Sequence, residues 1–466
     1  MPTDKLNAES KTENARTLAS ILGLSIEDAS NLLDIDVLIS FNPDNACSEQ
    51  LAEEVTRQLE RTVSGVCLND FIGTPAIEII IGDSAPKTKG KILYIAISGE
   101  QLNIQEHPFD THSQSRCHPI LTIISACYVC AATMSKALEL AAPHETRFPL
   151  NVNFNDLTNP KQLDSPFELG TAFMAGAGAV GNGFLWALKH MNAKGILTIA
   201  DDDTVDAGNL NRQIWFAPED VGLPKVKQIA LRAKPFFSDL ELNPVQSKVQ
   251  DLPEILDNAK SLKTLIVGVD SRRARRTLQN LIPGEVFDAS TTDITEIVLH
   301  HHKQPNDGAC LSCIYYANEQ ELSREQLIAE QFGLPVEVIK MQRISSETAA
   351  AISLRYPNQS IDPKEIEGLA FDTLFKSLCG AGALNTVSST KQLFAPFCFV
   401  SILAGAMLAL EVFNRRLNIK PMNYNYWKLS AWTPPIVKNQ RQYRRIENCE
   451  FCGEKIAREI AANRWE

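Results

Sequence analysis

An α/β fold built on a mainly parallel sheet is what this chain predicts, on three observations. From about residue 168 short buried strands alternate with helical patterns, a glycine-rich turn joins the first of these strands to the first helix, and two of the strands end on an aspartate. In chain order, Leu18 to Leu33 has helical amphipathy, and IEIIIG (Ile77 to Gly82) and KILYIAIS (Lys91 to Ser98) read as strands. Between about 148 and 166 the chain is rich in Asn, Pro and Asp, a linker or turn composition. Leu169 to Ala175 is then an apolar strand, a helix covers about Gly181 to Met191, and ILTIAD and TLIVGVD are buried strands ending at Asp201 and Asp270. From about 320 to 415 the pattern is mostly helical.

At 466 residues and 51.5 kDa the chain is too long for one ordinary core; about 150 residues per domain suggests roughly three units. A content of 44% hydrophobic and 22% charged residues is ordinary for a globular protein and excludes collagen-like or wholly disordered readings. The net charge of -11 argues against a general nucleic-acid binder, which needs cations to displace phosphate counterions. Two uncharged stretches, Cys117 to Ser135 and Gln392 to Leu410, are marginal as membrane spans and lack a flanking basic cluster, so they are expected to be core helices. The polar N-terminus carries no secretory pattern, and a cytoplasmic protein without a membrane partner is expected. Eleven cysteines, an odd number, then speak for metal or catalytic uses rather than a disulfide framework.

Gly176, Gly178 and Gly181 form GxGxxG directly after a predicted strand and at the start of a predicted helix. Glycine lets the backbone approach a phosphate, and free N–H groups at the helix start attract negative charge. Asp201, at the end of the next strand, stands where a carboxylate can accept from a ribose hydroxyl. A nicotinamide-dependent oxidoreductase would fit this turn, but it leaves the segment that follows unexplained. That segment reads DDDTVDAGNLNRQIWFAPEDVGLPK. It resembles the ubiquitin-activating, or E1-like, adenylyltransferase family of ThiF and MoeB type, which includes the activators of sulfur-carrier proteins in thiamine and molybdopterin synthesis. Gly176, Gly178, Gly181, Asp201, Asp203, Asn209, Leu210, Arg212, Gln213, Gly222, Lys225 and Asp270 match the family pattern in order and spacing. Ala179 departs from it, where the family usually has glycine. The resemblance covers about 168 to 315, returns near 395 to 452 and is faint before 160.

The resemblance implies a Rossmann-like, doubly wound adenylation fold and an ATP- and Mg²⁺-dependent activator of a ubiquitin-like protein's C-terminal glycine. By that resemblance Asp201 holds the ribose, Asn209 positions the phosphates, Arg212 and Lys225 neutralise them, and Asp270 helps hold Mg²⁺; Asp203 and Gln213 belong to the same nucleotide set. The chemistry fits these residue types, because charge that builds on phosphate oxygens calls for cations and a metal. The arginine that completes the phosphate site is left open between the N-terminal region, with Arg147 a candidate, and another chain. Of the run Arg272, Arg273, Arg275 and Arg276, a solvated helix face is expected, although Arg275 stands where the family often keeps an arginine.

Two CxxC pairs, Cys310 with Cys313 and Cys449 with Cys452, are a common way to supply four thiolates to tetrahedral Zn²⁺. Their separation in sequence leaves open whether they meet; the resemblance implies that they close one structural zinc site. Cys127, Cys130 and Cys398 lie in apolar helical runs and read as packing, and His300, His301 and His302 read as strand-end residues. Cys379, in FKSLCGAGALNT, stands in the region where thioester-forming members carry their nucleophile. A buried structural cysteine is the alternative, since the end of a helix raises rather than lowers a thiol pKa.

The expected organisation is an inactive adenylation-like domain over 1–160, an active ATP-binding domain over 161–317, a helical insertion over 318–392 bearing Cys379, and a return of the adenylation domain over 393–466. The extra N-terminal half and the insertion favour the E1-like enzymes of bacterial ubiquitin-like, some of them antiviral, conjugation operons. Such an enzyme would pass its thioester to an E2-like partner and act as a homodimer. A sulfur-carrier adenylyltransferase that stops at the acyl adenylate is the alternative.

Overall fold

Runs of β-branched residues bounded by glycine, proline and asparagine build two sheets in the computed structural model. It describes residues 7–110, 116–257, 261–291, 295–316, 324–340, 344–357, 361–368, 371, 374–375, 378, 396–419 and 421–465. The first sheet holds β1 (Asp36–Phe41), β2 (Gly65–Leu68), β3 (Ile77–Ile81), β4 (Ile92–Ile97), β5 (Gln101–Gln105) and β6 (Leu150–Asn153) in the order β2-β1-β3-β4-β5-β6. Its first four strands are parallel and the last two pair antiparallel. The second holds β7 (Phe167–Ala175), β8 (Ala193–Ala200), β9 (Leu240–Val245), β10 (Thr264–Val267), β11 (Glu285–Thr291), β12 (Ile297–Lys303), β13 (Tyr426–Leu429) and β14 (Gln440–Arg441). Its order is β14-β13-β12-β11-β10-β7-β8-β9, parallel from β11 to β9 and antiparallel beyond. In both sheets the chain runs outward to one side and then crosses back, which creates a topological switch point beside β1 and beside β7.

Residues 1–316 with 394–466 form one compact unit. Residues 317–393 form a second; where described it is helical, with Arg324–Phe332, Val336–Lys340 and Ser346–Arg355 and an apolar core that includes Phe332, Phe371 and Phe375.

The sequence reading of Leu18 to Leu33 as one amphipathic element is corrected. The helix Ala8–Leu22 ends at Gly23, which takes φ +67, and Ser25 caps a second helix, Ile26–Leu33. The stretch 148–166 is not a plain linker either. Leu150–Asn153 adds the edge strand β6, and Thr158 donates to Asn414 Oδ1 at 2.6 Å while Asn414 Nδ2 donates to the Leu157 carbonyl at 2.8 Å. Both side chains are buried, so each polar atom needs the other.

Two helices, Pro119–Leu138 and Cys398–Arg416, are long and apolar enough to cross a membrane, but 89% and 94% of their apolar windows are buried inside the protein. They act as core helices, and Cys127, Cys130 and Cys398 are wholly buried in them. Cys398–Arg416 lies against Ala179–Leu188, the helix of the glycine turn, with Gly405 at the crossing. A Cβ there would stand 2.2 Å from Phe184 N and 2.3 Å from the Gly183 carbonyl carbon, both backbone atoms that cannot swing away. Gly405→Ala is therefore expected to cost about 1–3 kcal/mol by overpacking; an unchanged denaturation midpoint would show that this crossing does not set the packing distance.

Candidate functional site

The turn after β7 is shaped by what cannot fit there. Gly176 takes φ +97, and a Cβ on it would stand 3.1 Å from the Gly268 backbone just past β10. A Cβ on Gly181 already lies 2.3 Å from the Gly176 carbonyl oxygen; anything larger would push the helix off the strand. The helix Ala179–Leu188 consequently starts directly over the ends of β7 and β10, with Ala179 as its first residue. Gly178 at the cap position brings no side-chain hydrogen bond, and the space where its Cβ would point is open. Helix-start N–H groups without a side-chain cap suit a phosphate.

Asp201 follows β8 and ties the turn down: its carboxylate accepts from Ala177 N at 2.7 Å and from Asp203 N at 2.8 Å. Burial raises its pKa, and the charge of Lys225 pulls it back. Lys225 is itself buried and pairs with Asp203 at 3.1 Å, so a cation is held beside Asp201. Asp270, exposed, lies just past β10. Asp201, Asp203, Lys225 and the glycine turn thus come together at the switch point.

The NLNRQ segment stands on a short 3₁₀ turn, Ala207–Asn209, capped by Asp206. Gln213 Nε2 donates to Asn209 Oδ1 at 3.0 Å, while the buried Gln213 Oε1 has no hydrogen-bond partner among the described residues and could accept from a ligand donor. The Arg212 guanidinium donates to the Gly208 carbonyl at 3.1 Å and to Asn211 Oδ1 at 2.8 Å. Burial lowers its pKa, opposed by the charges of Glu13, Asp206 and Asp270.

A residue that sequence reading missed, Asn182, locks these parts together. Wholly buried, it donates to the Ala177 carbonyl at 2.8 Å and the Gly178 carbonyl at 3.0 Å, and its Oδ1 accepts from Trp215 N at 3.0 Å. The signal was an asparagine inside the apolar helical run VGNGFLWAL, where an amide needs a partner. The first sheet's switch point is built differently. The helix after β1, Ala46–Leu59, is capped by Asn45, whose Oδ1 accepts from Cys47 N and Ser48 N at 3.1 Å each. The helix-start donors left free at Gly178 are thus occupied here.

Of the arginines beyond the motif, Arg147 is 84% exposed and pairs with Glu145. An N-terminal arginine that does reach the NLNRQ segment is Arg61, which donates to the Leu210 and Ile214 carbonyls. The run after Asp270 is not one solvated face. Arg275 is buried, pairs with Asp288 at 2.8 Å, donates to the Ala289 carbonyl and lies over the Tyr315 ring; Arg276 donates to the Tyr315 carbonyl. His300, His301 and His302 lie inside β12 rather than at its end, with His300 and His302 buried and His301 paired with Glu285 at 2.9 Å. Burial holds His300 down to about 3, so it stays neutral. Cys379 lies outside the described residues.

The four cysteines of the two CxxC pairs do meet. Cys310 Sγ is 3.8 Å from Cys313 and 3.7 Å from Cys449, Cys313 is 3.2 Å from Cys452, and all four sulfurs lie within 4.8 Å of one another, buried. Zn–S bonds of about 2.3 Å in a tetrahedron put sulfurs about 3.8 Å apart, so this group could hold zinc. Metal analysis should return about one zinc per chain. Cys449→Ser should lose it and speed amide exchange in the C-terminal helix Lys455–Trp465; full protection without metal would mean that side-chain packing alone holds that helix.

A model of the ThiF family matches residues 161–451, and a model of the E1 N-terminal domain matches residues 7–160. The uncharacterized protein y4jF of Sinorhizobium fredii is 24% identical over 268 residues, which cover 54% of this chain and 50% of that protein. The NEDD8-activating enzyme E1 catalytic subunit of Dictyostelium discoideum is 33% identical over 121 residues, 26% of each chain. The chain thus spans half the length of the first relative and about a quarter of the second. Among solved structures, that of E. coli MccB with ATP aligns at a TM-score of 0.39 and 14% identity, over 78% of this chain and 98% of that one. The ThiF match extends over more than half of the sequence, and the chain belongs to the ThiF family.

Proposed function

We propose that the chain is an ATP-dependent adenylyltransferase of E1 type that activates the C-terminal carboxylate of a ubiquitin-like protein. What carries this reading is the convergence of an open helix start at Gly178, the Asp201 carboxylate and the buried Lys225 cation at the ends of β7, β8 and β10, beside the NLNRQ segment. The similarity to enzymes named as NEDD8-activating and ubiquitin-activating supports it.

In the proposed reaction a carboxylate oxygen of the partner's terminal glycine attacks the α-phosphorus of ATP. The bond from that phosphorus to the bridging oxygen breaks, and pyrophosphate leaves with the electron pair, which gives the acyl adenylate. Gly176, Gly178 and Gly181 let the phosphates approach the backbone, and Asp201 accepts from the ribose. Asn209 and Gln213 orient the nucleotide, Arg212 and Lys225 neutralise the phosphates, and Asp203 holds Lys225 in place. Asp270, exposed beside this site, would hold Mg²⁺, which supplies charge neutralisation on the phosphate oxygens. The region 161–317 with 393–466 is then the active half, and 1–160, whose helix start is filled by Asn45, is the inactive one.

The finer reading adds a second step on the insertion, 318–392. Cys379 Sγ attacks the acyl carbon, AMP leaves with the electron pair, and the thioester passes to an E2-like enzyme. The alternative ends at the acyl adenylate, as in sulfur-carrier activation. In either case we propose a homodimer that works in the cytoplasm, with neither nucleic acid nor membrane as partner, and zinc on Cys310, Cys313, Cys449 and Cys452 as a structural clamp.

Asp270→Ala should lower partner-dependent ATP–pyrophosphate exchange by 10²-fold or more, on the order of what a lost transition-state contact costs; undiminished exchange would remove the adenylation assignment. Cys379→Ala should keep the exchange and lose the reductant-sensitive conjugate on a non-reducing gel. If the conjugate persists, another residue is the nucleophile.

A further inference from the structure

The guanidinium of Arg212 is held at the end of a directional line of amides that begins in the N-terminal half. The Arg61 backbone carbonyl can only accept, and Asn14 Nδ2 donates to it at 2.7 Å. That leaves Asn14 Oδ1 facing Asn211, whose Nδ2 donates to it at 2.7 Å. Asn211 Oδ1 must then face away, where it accepts from Arg212 at 2.8 Å. Each amide has one sense only: a flip at Asn14 would set two acceptors against each other at Arg61, and a flip at Asn211 would set an NH₂ against the guanidinium. Asn14 is 1% and Asn211 0% exposed, so water cannot replace a missing partner.

The backbone around the pair is pinned from the same side. Arg61 donates to the Leu210 carbonyl and, at 3.3 Å, to the Ile214 carbonyl, which bracket Asn211 and Arg212. Asn7 Nδ2 and Ser10 Oγ both donate to the Ala207 carbonyl, at 3.1 and 2.8 Å. Asn7 caps the helix Ala8–Leu22 that also carries Asn14.

We infer that Asn14 and Asn211 are positioning residues: through the line Arg61 carbonyl, Asn14, Asn211, the first helix of the N-terminal half aims the Arg212 guanidinium at the nucleotide phosphates. This rests on the proposed role of Arg212 at those phosphates. The N-terminal half then contributes to nucleotide binding through orientation, with no atom of Asn14 touching the ligand.

The test compares Mg²⁺-bound β,γ-imido-ATP with adenosine, titrated calorimetrically into the full chain. A buried hydrogen bond to a charged group is worth enough that Asn14→Leu should weaken the ATP analogue about 10-fold, with adenosine affinity unchanged. Placed on an Arg212→Ala background, the same substitution should add nothing, because the line then has no load to aim. Should leucine prevent folding, Asn14→Ala removes atoms only and reads the same split. Full affinity for the analogue in folded Asn14→Leu, or equal losses for analogue and adenosine, overturns the inference. If Arg212→Ala itself binds the analogue normally, it is the phosphate role of Arg212 that fails; if Arg212→Ala is weak and Asn14→Leu is not, it is the amide line.

Discussion

At Gly176 and Gly181, where β7 gives way to the helix that follows it, no side chain fits, and most of the site depends on that exclusion. Gly176 needs a positive φ to pass under the end of β10, and Gly181 needs a bare Cα over the Gly176 carbonyl. Gly405 lets the buried helix Cys398–Arg416 close onto the same helix from behind. The helix start is thereby held between the strand ends and the core helix. There its N–H groups have no side-chain cap. Asp201 and Asn182 do for the turn what side chains cannot do inside it: they hold its backbone from both sides through hydrogen bonds to Ala177 and Gly178.

The two sheets make the same crossover and finish it differently. A single asparagine, Asn45, accepts from the helix-start amides in the first half, whereas glycine leaves them open in the second. The first half instead spends its polar groups on the second. Asn7, Ser10, Asn14 and Arg61 all bond to the segment between Ala207 and Ile214. A loop with little regular structure of its own gains its rigidity from those bonds, and a phosphate site made of long cationic side chains needs such support, because each carries large rotamer freedom.

A buried ion pair links the other end of the site to the cysteine cluster. Arg275, on the helix that begins just after Asp270, is paired with Asp288 of β11, and Tyr315, two residues past Cys313, donates to the same carboxylate and accepts from the Ser290 hydroxyl. A charge this deeply buried is tolerated only with its partner and full hydrogen bonding, so the helix, the strand and the cysteine knuckle keep one mutual arrangement. Arg276 adds contacts to Tyr315 and Glu450, from the segments that hold both cysteine pairs.

How much of this was legible in sequence follows from the range of each interaction. Local rules determined the strand–turn–helix at Gly176, the strands that lead to Asp201 and Asp270 (the second stopping at Val267), the two CxxC pairs and the apolar character of both long helices, because glycine sterics, strand alternation and thiolate spacing act within a few residues. The same rules misjudged Leu18 to Leu33, where Gly23 stops the helix, and 148–166, where Asn414 from far along the chain captures Thr158. They could not separate Arg275 from its neighbours, since nothing local announces Asp288, nor find Asn14, whose partners lie 47 and 197 positions away. Chemistry-bearing residues are thus written in the sequence, while which of them are aimed, capped or paired is decided by tertiary structure, because a buried polar group finds its partner across space rather than along the chain.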